Sequence, residues 1–179
     1  MRRTIAALIL LVPAGFALAQ SHQPYAGMEQ RSVKSLSQQQ VADLRAGRGM
    51  GLALPAELNG YPGPVHVLEH ADALGLTSQQ QERTRALIDA MKADAIPVGE
   101  RLIEQETKLD RLFANREITP AALTAATADI GATQATLREA HLKYHLAMKD
   151  VLTPEQVAEY GRLRGYTFSG PMQHHKQRH

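Results

Sequence analysis

The sequence predicts an all-α fold, a bent antiparallel helical hairpin with short flanking helices. Three observations predict it. Apolar residues recur every seven positions along two long segments, each segment opens with a helix-start signature, and no alternating strand pattern follows residue 20.

The chain opens with Arg2 and Arg3, a nearly continuous apolar run from Ile5 to Leu18, and the small-x-small pattern Ala17-Leu18-Ala19. This is an export signal with cleavage expected after Ala19, giving residues 1–19 as signal peptide and a periplasmic mature chain. The run is too short to span a bilayer well, so the mature chain is expected to carry no transmembrane segment. With no cysteine, stability in an oxidising compartment must come from packing alone. Losing Arg2 and Arg3 lowers the 20 basic residues to 18, against 18 acidic ones. The mature chain is near neutral with its charges interspersed, which excludes the clustered basic face of a nucleic-acid binder.

Residues 20–64 are expected to form an N-terminal arm, a short helix and a Gly/Pro-rich linker. Ser21 to Lys34 is polar and irregular; Ser37 with Gln40 forms a capping box ahead of Val41 and Leu44, and Gly47 stops the helix. From Gly47 to Pro64 the glycines, Asn59-Gly60 and Pro62-Gly63-Pro64 read as loop.

The domain proper is expected at 65–166. Val67, Leu68, Ala71 and Leu74 share a helical face that ends at Gly75, and Thr77 with Gln80 makes a second capping box. The helix that follows carries Ile88, Ala95, Leu102 and Leu109 in one column and Met91, Val98 and Leu112 in the other. Pro97 interrupts it and is expected to kink or divide it. Thr119-Pro120 opens the return helix, with Leu123, Ile130, Leu137, Tyr144 and Val151 in one column and Ala126, Thr133, Ala140 and Ala147 in the other. Thr153-Pro154-Glu155-Gln156 starts a last helix through Tyr160 and Leu163. Residues 167–179 form a polar tail carrying His174, His175 and His179, expected to be disordered. Two long helices alone bury too little apolar surface, so either the short helices fold back over the seam or a second copy covers it, a homodimer being the economical solution.

Leu76-Thr77-Ser78-Gln79-Gln80 and Leu152-Thr153-Pro154-Glu155-Gln156 both fit L-T-x-x-Q, each at a helix start. Two such boxes around a helical hairpin, behind an export signal, resemble the periplasmic LTxxQ-motif group: Spy- and CpxP-like chaperones, zinc-resistance-associated proteins and periplasmic heavy-metal sensors. The resemblance covers about residues 65–166. It implies a four-helix hook that dimerises into a curved cradle. It also implies one of two roles, binding a transition metal and reporting it to a membrane-bound regulator, or holding unfolding periplasmic proteins without ATP.

Histidines point to the first role. His66 and His70 are four apart, as are His141 and His145, and Met148 lies seven beyond His141, so each set is expected on one helix face. Imidazole suits zinc, copper, nickel or cobalt, and a thioether adds softness. Two pairs brought together by an antiparallel fold complete a four-coordinate site, giving His66, His70, His141, His145 and Met148 as candidate ligands. The competing account is a packed, hydrogen-bonded His141 and solvated histidines at 66 and 70. The resemblance implies a similar HxxxH pair at His66 and His70. It also implies a His and Met four apart before the second motif, where this chain departs: Tyr144 stands four before Met148. For the carboxylate some sensors add, Glu69 and Glu82 are the nearby candidates. Catalysis is not expected: there is no Cys–His or Ser–His–acid arrangement, and His66-Val67-Leu68-Glu69-His70 lacks the glutamate position of a zinc-protease helix.

Overall fold

The computed structural model of the protein describes residues 24–166. The signal peptide expected at 1–19 and the tail expected at 167–179 lie outside the described residues. After a 3-10 turn at Met28–Gln30, the chain forms α1 (Gln38–Arg45), α2 (Leu54–Glu57), α3 (Pro64–Glu69), α4 (Ser78–Ala114), α5 (Pro120–Met148) and α6 (Pro154–Leu163), with no strand among the described residues. None of these helices is long and apolar enough to cross a membrane.

The helix starts are where the sequence puts them, because each supplies its own acceptor for an orphan N–H. Ser37, Thr77 and Thr153 accept from the backbone of Gln40, Gln80 and Gln156, and each glutamine side chain returns to the cap's own N–H. Thr119 caps α5 ahead of Pro120.

The helices α4 and α5 pair antiparallel: Gln80, at the start of α4, meets Val151 just beyond α5, while Asp94 further along meets Lys143 and Tyr144. Pro97 does not divide α4, which runs unbroken for 37 residues. The proline removes one donor on the exposed side, while Ala95, Gly99, Leu102 and Ile103 are buried on either side of it. Packing along that face holds the helix through the missing bond.

The short helices fold back over the seam. The helix α1 lies so close to α4 that a Cβ on Gly99 would stand 2.8 Å from the Leu44 carbonyl oxygen, which excludes any larger residue there. Val33 joins the core, and Lys34 pairs with Asp110 at 2.9 Å, so the arm is laid along the hairpin. Two apolar clusters result. The first holds Leu44, Ala95, Leu102, Ile130, Leu137 and Ala140; the second, at the base of the hairpin, holds Val67, Leu74, Met148, Leu152 and Tyr160.

At that base the two LTxxQ boxes are wired to each other. The Gln80 amide donates to Gln156 Oε1 at 2.8 Å and to the Val151 carbonyl at 2.8 Å. The Gln156 amide answers to Gln80 Oε1 and the Leu74 carbonyl, both at 3.2 Å. The motif therefore does more than cap: each glutamine closes its own box and clasps the other, joining helix starts 76 residues apart.

Candidate metal centre

Between the two apolar clusters the α4–α5 seam becomes polar, and helix geometry explains why histidines fall there. A straight helix drifts about 20° per heptad against a seven-residue pattern. The buried face of α5 starts on the expected columns, at Ile130, Thr133, Leu137 and Ala140, then drifts onto His141, His145 and Met148, leaving Tyr144 half-buried. His141 and His145 thus lie on the inner face of α5, flanked by Ala140 of one cluster and Met148 of the other.

These two rings, His66 of α3, the Met91 thioether and Glu57 of α2 line one cavity of about 220 Å³. Its remaining wall includes Gly49 and Gly63, whose missing side chains make room for the imidazoles. A Cβ on Gly49 would stand 3.3 Å from His141 Nδ1, and one on Gly63 would stand 2.9 Å from His145 Cε1.

The proton positions follow from the partners. His145 Nδ1 is 2.7 Å from the Tyr61 carbonyl, which can only accept, so Nδ1 carries the proton and Nε2 of the neutral ring carries the lone pair. His66 Nδ1 is 2.8 Å from Glu69 Oε2, and the same reasoning leaves its Nε2 as the donor atom. An imidazole fixed through one nitrogen by a carbonyl or carboxylate is the arrangement that orients metal ligands. His141 is 2 % exposed and its Nε2 is buried without a hydrogen-bond partner. Burial, and then the charge at His145, hold its pKa below the ordinary imidazole value, which keeps it neutral and able to ligate.

The five candidate ligands therefore separate. His66, His141 and His145 face the cavity. His70 does not join His66, because α3 ends at Glu69 and His70 is its C-cap with φ −104°, off the helical path; its ring packs edge-on against Tyr160 with centroids 6.4 Å apart. Met148 is fully buried in the base cluster, and Met91 supplies the sulfur on the cavity wall instead. Of the two carboxylates considered, Glu69 orients His66, while Glu82 is exposed on α4.

Glu57 is the residue the sequence does not advertise. It sits in what reads as linker, yet its side chain is almost fully buried. The Gly63 N–H donates to its Oε2 at 3.1 Å; the Tyr160 and Tyr166 hydroxyls donate to its Oε1, the latter at 3.1 Å. Arg164 Nε lies 3.7 Å from Oε1 and His145 Nδ1 3.7 Å from Oε2. Burial, with the carboxylate beside it, pushes the Tyr160 phenol far above its ordinary range and keeps it a donor. The only local hint was a Pro at the start of a four-residue helix.

Among the described residues no three His, Cys, Asp or Glu side chains stand close enough together to hold a metal ion. In donor chemistry the cavity nonetheless fits a borderline transition metal: three imidazoles face it, two are pre-oriented through Nδ1, and one has a buried nitrogen with nothing to bond. The heavy-metal resistance family model matches residues 49–159, and the chain belongs to that family, within the LTxxQ group of periplasmic proteins. The match begins at the first cavity glycine and spans all three inward histidines. No curated protein and no solved structure matches the chain.

Proposed function

We propose that the protein is an exported periplasmic metal-binding sensor or resistance protein, without catalytic activity, that takes a transition metal on His66, His141 and His145 through their Nε2 atoms. The observation that carries this is the unpartnered, buried Nε2 of His141 facing a cavity shared with two oriented imidazoles, in a chain of the heavy-metal resistance family. Zinc, nickel, cobalt and copper are the candidates from donor softness, with the Met91 thioether favouring the softer ones. Because the rings stand apart, ligation involves drawing them together, which suits a protein whose task is to report the metal to a membrane partner. Signal cleavage after Ala19 and a homodimeric state belong to the same proposal.

Calorimetry with these ions tests it, using full-length mature protein in which His174, His175 and His179 are replaced by glutamine. About one equivalent bound per chain, abolished by His141→Ala with His145→Ala, is the expected outcome. Absence of binding in the micromolar range overturns the proposal.

A second role, as an ATP-independent chaperone, has one observation in its favour: Leu54 and Leu58 are each 51 % exposed and Leu146 is 59 % exposed, an adaptable apolar surface for unfolding clients. Suppression of client aggregation at near-stoichiometric ratio supports it, and inertness at several-fold excess removes it.

A further inference from the structure

Glu57 is the one buried acid among the described residues, and its two oxygens face different parts of the molecule. Oε2 takes the Gly63 N–H and looks toward His145; the point where a Gly63 Cβ would stand is 3.1 Å from His145 Nε2 and 3.4 Å from Glu57 Oε2. Oε1 takes the Tyr160 and Tyr166 hydroxyls and lies 3.7 Å from Arg164 Nε. Every hydrogen-bond partner is a donor, as a carboxylate requires. Arg164 in turn bonds the Tyr166 hydroxyl at 3.2 Å and stacks over its ring. One side chain thus connects the histidine cavity to the last described turn of the chain, beyond α6.

We propose that Glu57 couples metal occupancy of the histidine cavity to release of the segment from Arg164 onward. The inference rests on the metal-binding function proposed above. With the cavity free of metal, Arg164 is the cation that balances the buried carboxylate, and a buried charge keeps such a partner because desolvation is otherwise uncompensated. A divalent cation on His145 takes over that role from the other side, drawing Oε2 toward the cavity and repelling the guanidinium across a short, poorly hydrated gap. Arg164 and Tyr166 then lose their anchor, and the chain that follows α6 is presented to a partner. Linkage makes the effect reciprocal: whatever weakens the Arg164 contact strengthens metal binding by the same factor.

The test is limited trypsin digestion of the full mature protein with and without zinc, read by mass spectrometry at the Arg164–Gly165 bond and normalised to cleavage after exposed Arg116 at the hairpin tip. Zinc is expected to raise cleavage after Arg164 about fivefold or more. Glu57→Gln is expected to be cut quickly there without zinc and to ignore it. Should Glu57→Gln lose its helical signal, Arg164→Gln carries the test in calorimetry, binding zinc about fivefold or more tighter than the parent. Zinc that binds but leaves Arg164 cleavage unchanged or slower overturns the coupling and leaves the metal site standing, as does an Arg164→Gln affinity equal to the parent's. No zinc binding to any of the proteins overturns both.

Discussion

The base and the tip of the hairpin are made from the same two helices, yet they are finished in opposite ways. At the base, α3 and α6 cover the seam, Tyr160, Val67 and Met148 are fully buried, and the glutamine clasp ties two helix starts together. At the tip, Phe113 is 53 % exposed and Leu123 39 % exposed, and the first turns of α5 are mostly exposed small residues. Secondary structure is equally regular at both ends, so helix propensity does not make the difference; tertiary cover does. The cavity lies toward the covered end, between two apolar clusters that fix its walls, as a site that must hold rings in place requires.

Breaking each end in turn exposes the contrast. Tyr160→Ala removes a fully buried ring and leaves Glu57 short of a donor, and should cost about 3–5 kcal/mol in urea denaturation. Leu123→Ala at the tip should cost well under about 1 kcal/mol. Equal losses would erase the distinction between the two ends.

The clasp comes next. Gln80→Ala and Gln156→Ala each remove one half of a capping box and the cross-bonds to the other, a loss of about 1–2 kcal/mol. Because the two amides bond each other, the double variant should lose less than the sum of the single ones, whereas strict additivity would mean two independent caps.

A smaller, local change separates site from scaffold. Gly63 has an ordinary φ of −82°, so Gly63→Ala introduces no backbone strain, but the added methyl meets the His145 ring at 2.9 Å. Metal affinity is expected to fall about tenfold while the melting temperature moves by only a few degrees. An unchanged affinity would place His145 outside the site.

The smallest effect is the pH dependence. Burial holds the His141 pKa below its ordinary 6.5. Above that value the ring is neutral folded or unfolded and adds no slope. As pH falls below it, the unfolded chain takes up a proton the folded chain refuses, so stability declines toward the folded pKa. His141→Gln should flatten this part of the stability–pH profile.

What was legible in the sequence was what neighbours along the chain determine. The capping boxes at Ser37, Thr77 and Thr153 and the heptad columns of α4 are local patterns, and the structure follows them. Three things were not local. The inward turn of His141 and His145 depends on the drift of a straight helix away from a seven-residue count, which a column drawn on the sequence does not show. The separation of His66 from His70 depends on α3 stopping at Glu69, one residue short of carrying both. Glu57 depends on a tyrosine 103 residues away, and no short-range signal marks a four-residue helix that buries an acid.

The central claim, that the covered end of the hairpin is a metal site formed by His66, His141 and His145, is tested most directly by nitrogen NMR of protein labelled with 15N-histidine and titrated with zinc. The account predicts that the Nε2 resonances of these three rings shift on binding, their Nδ1 resonances remain protonated, and His70, packed on Tyr160, does not respond. Shifts confined to His70 or to the histidines after residue 166, with His141 and His145 unmoved, would contradict it.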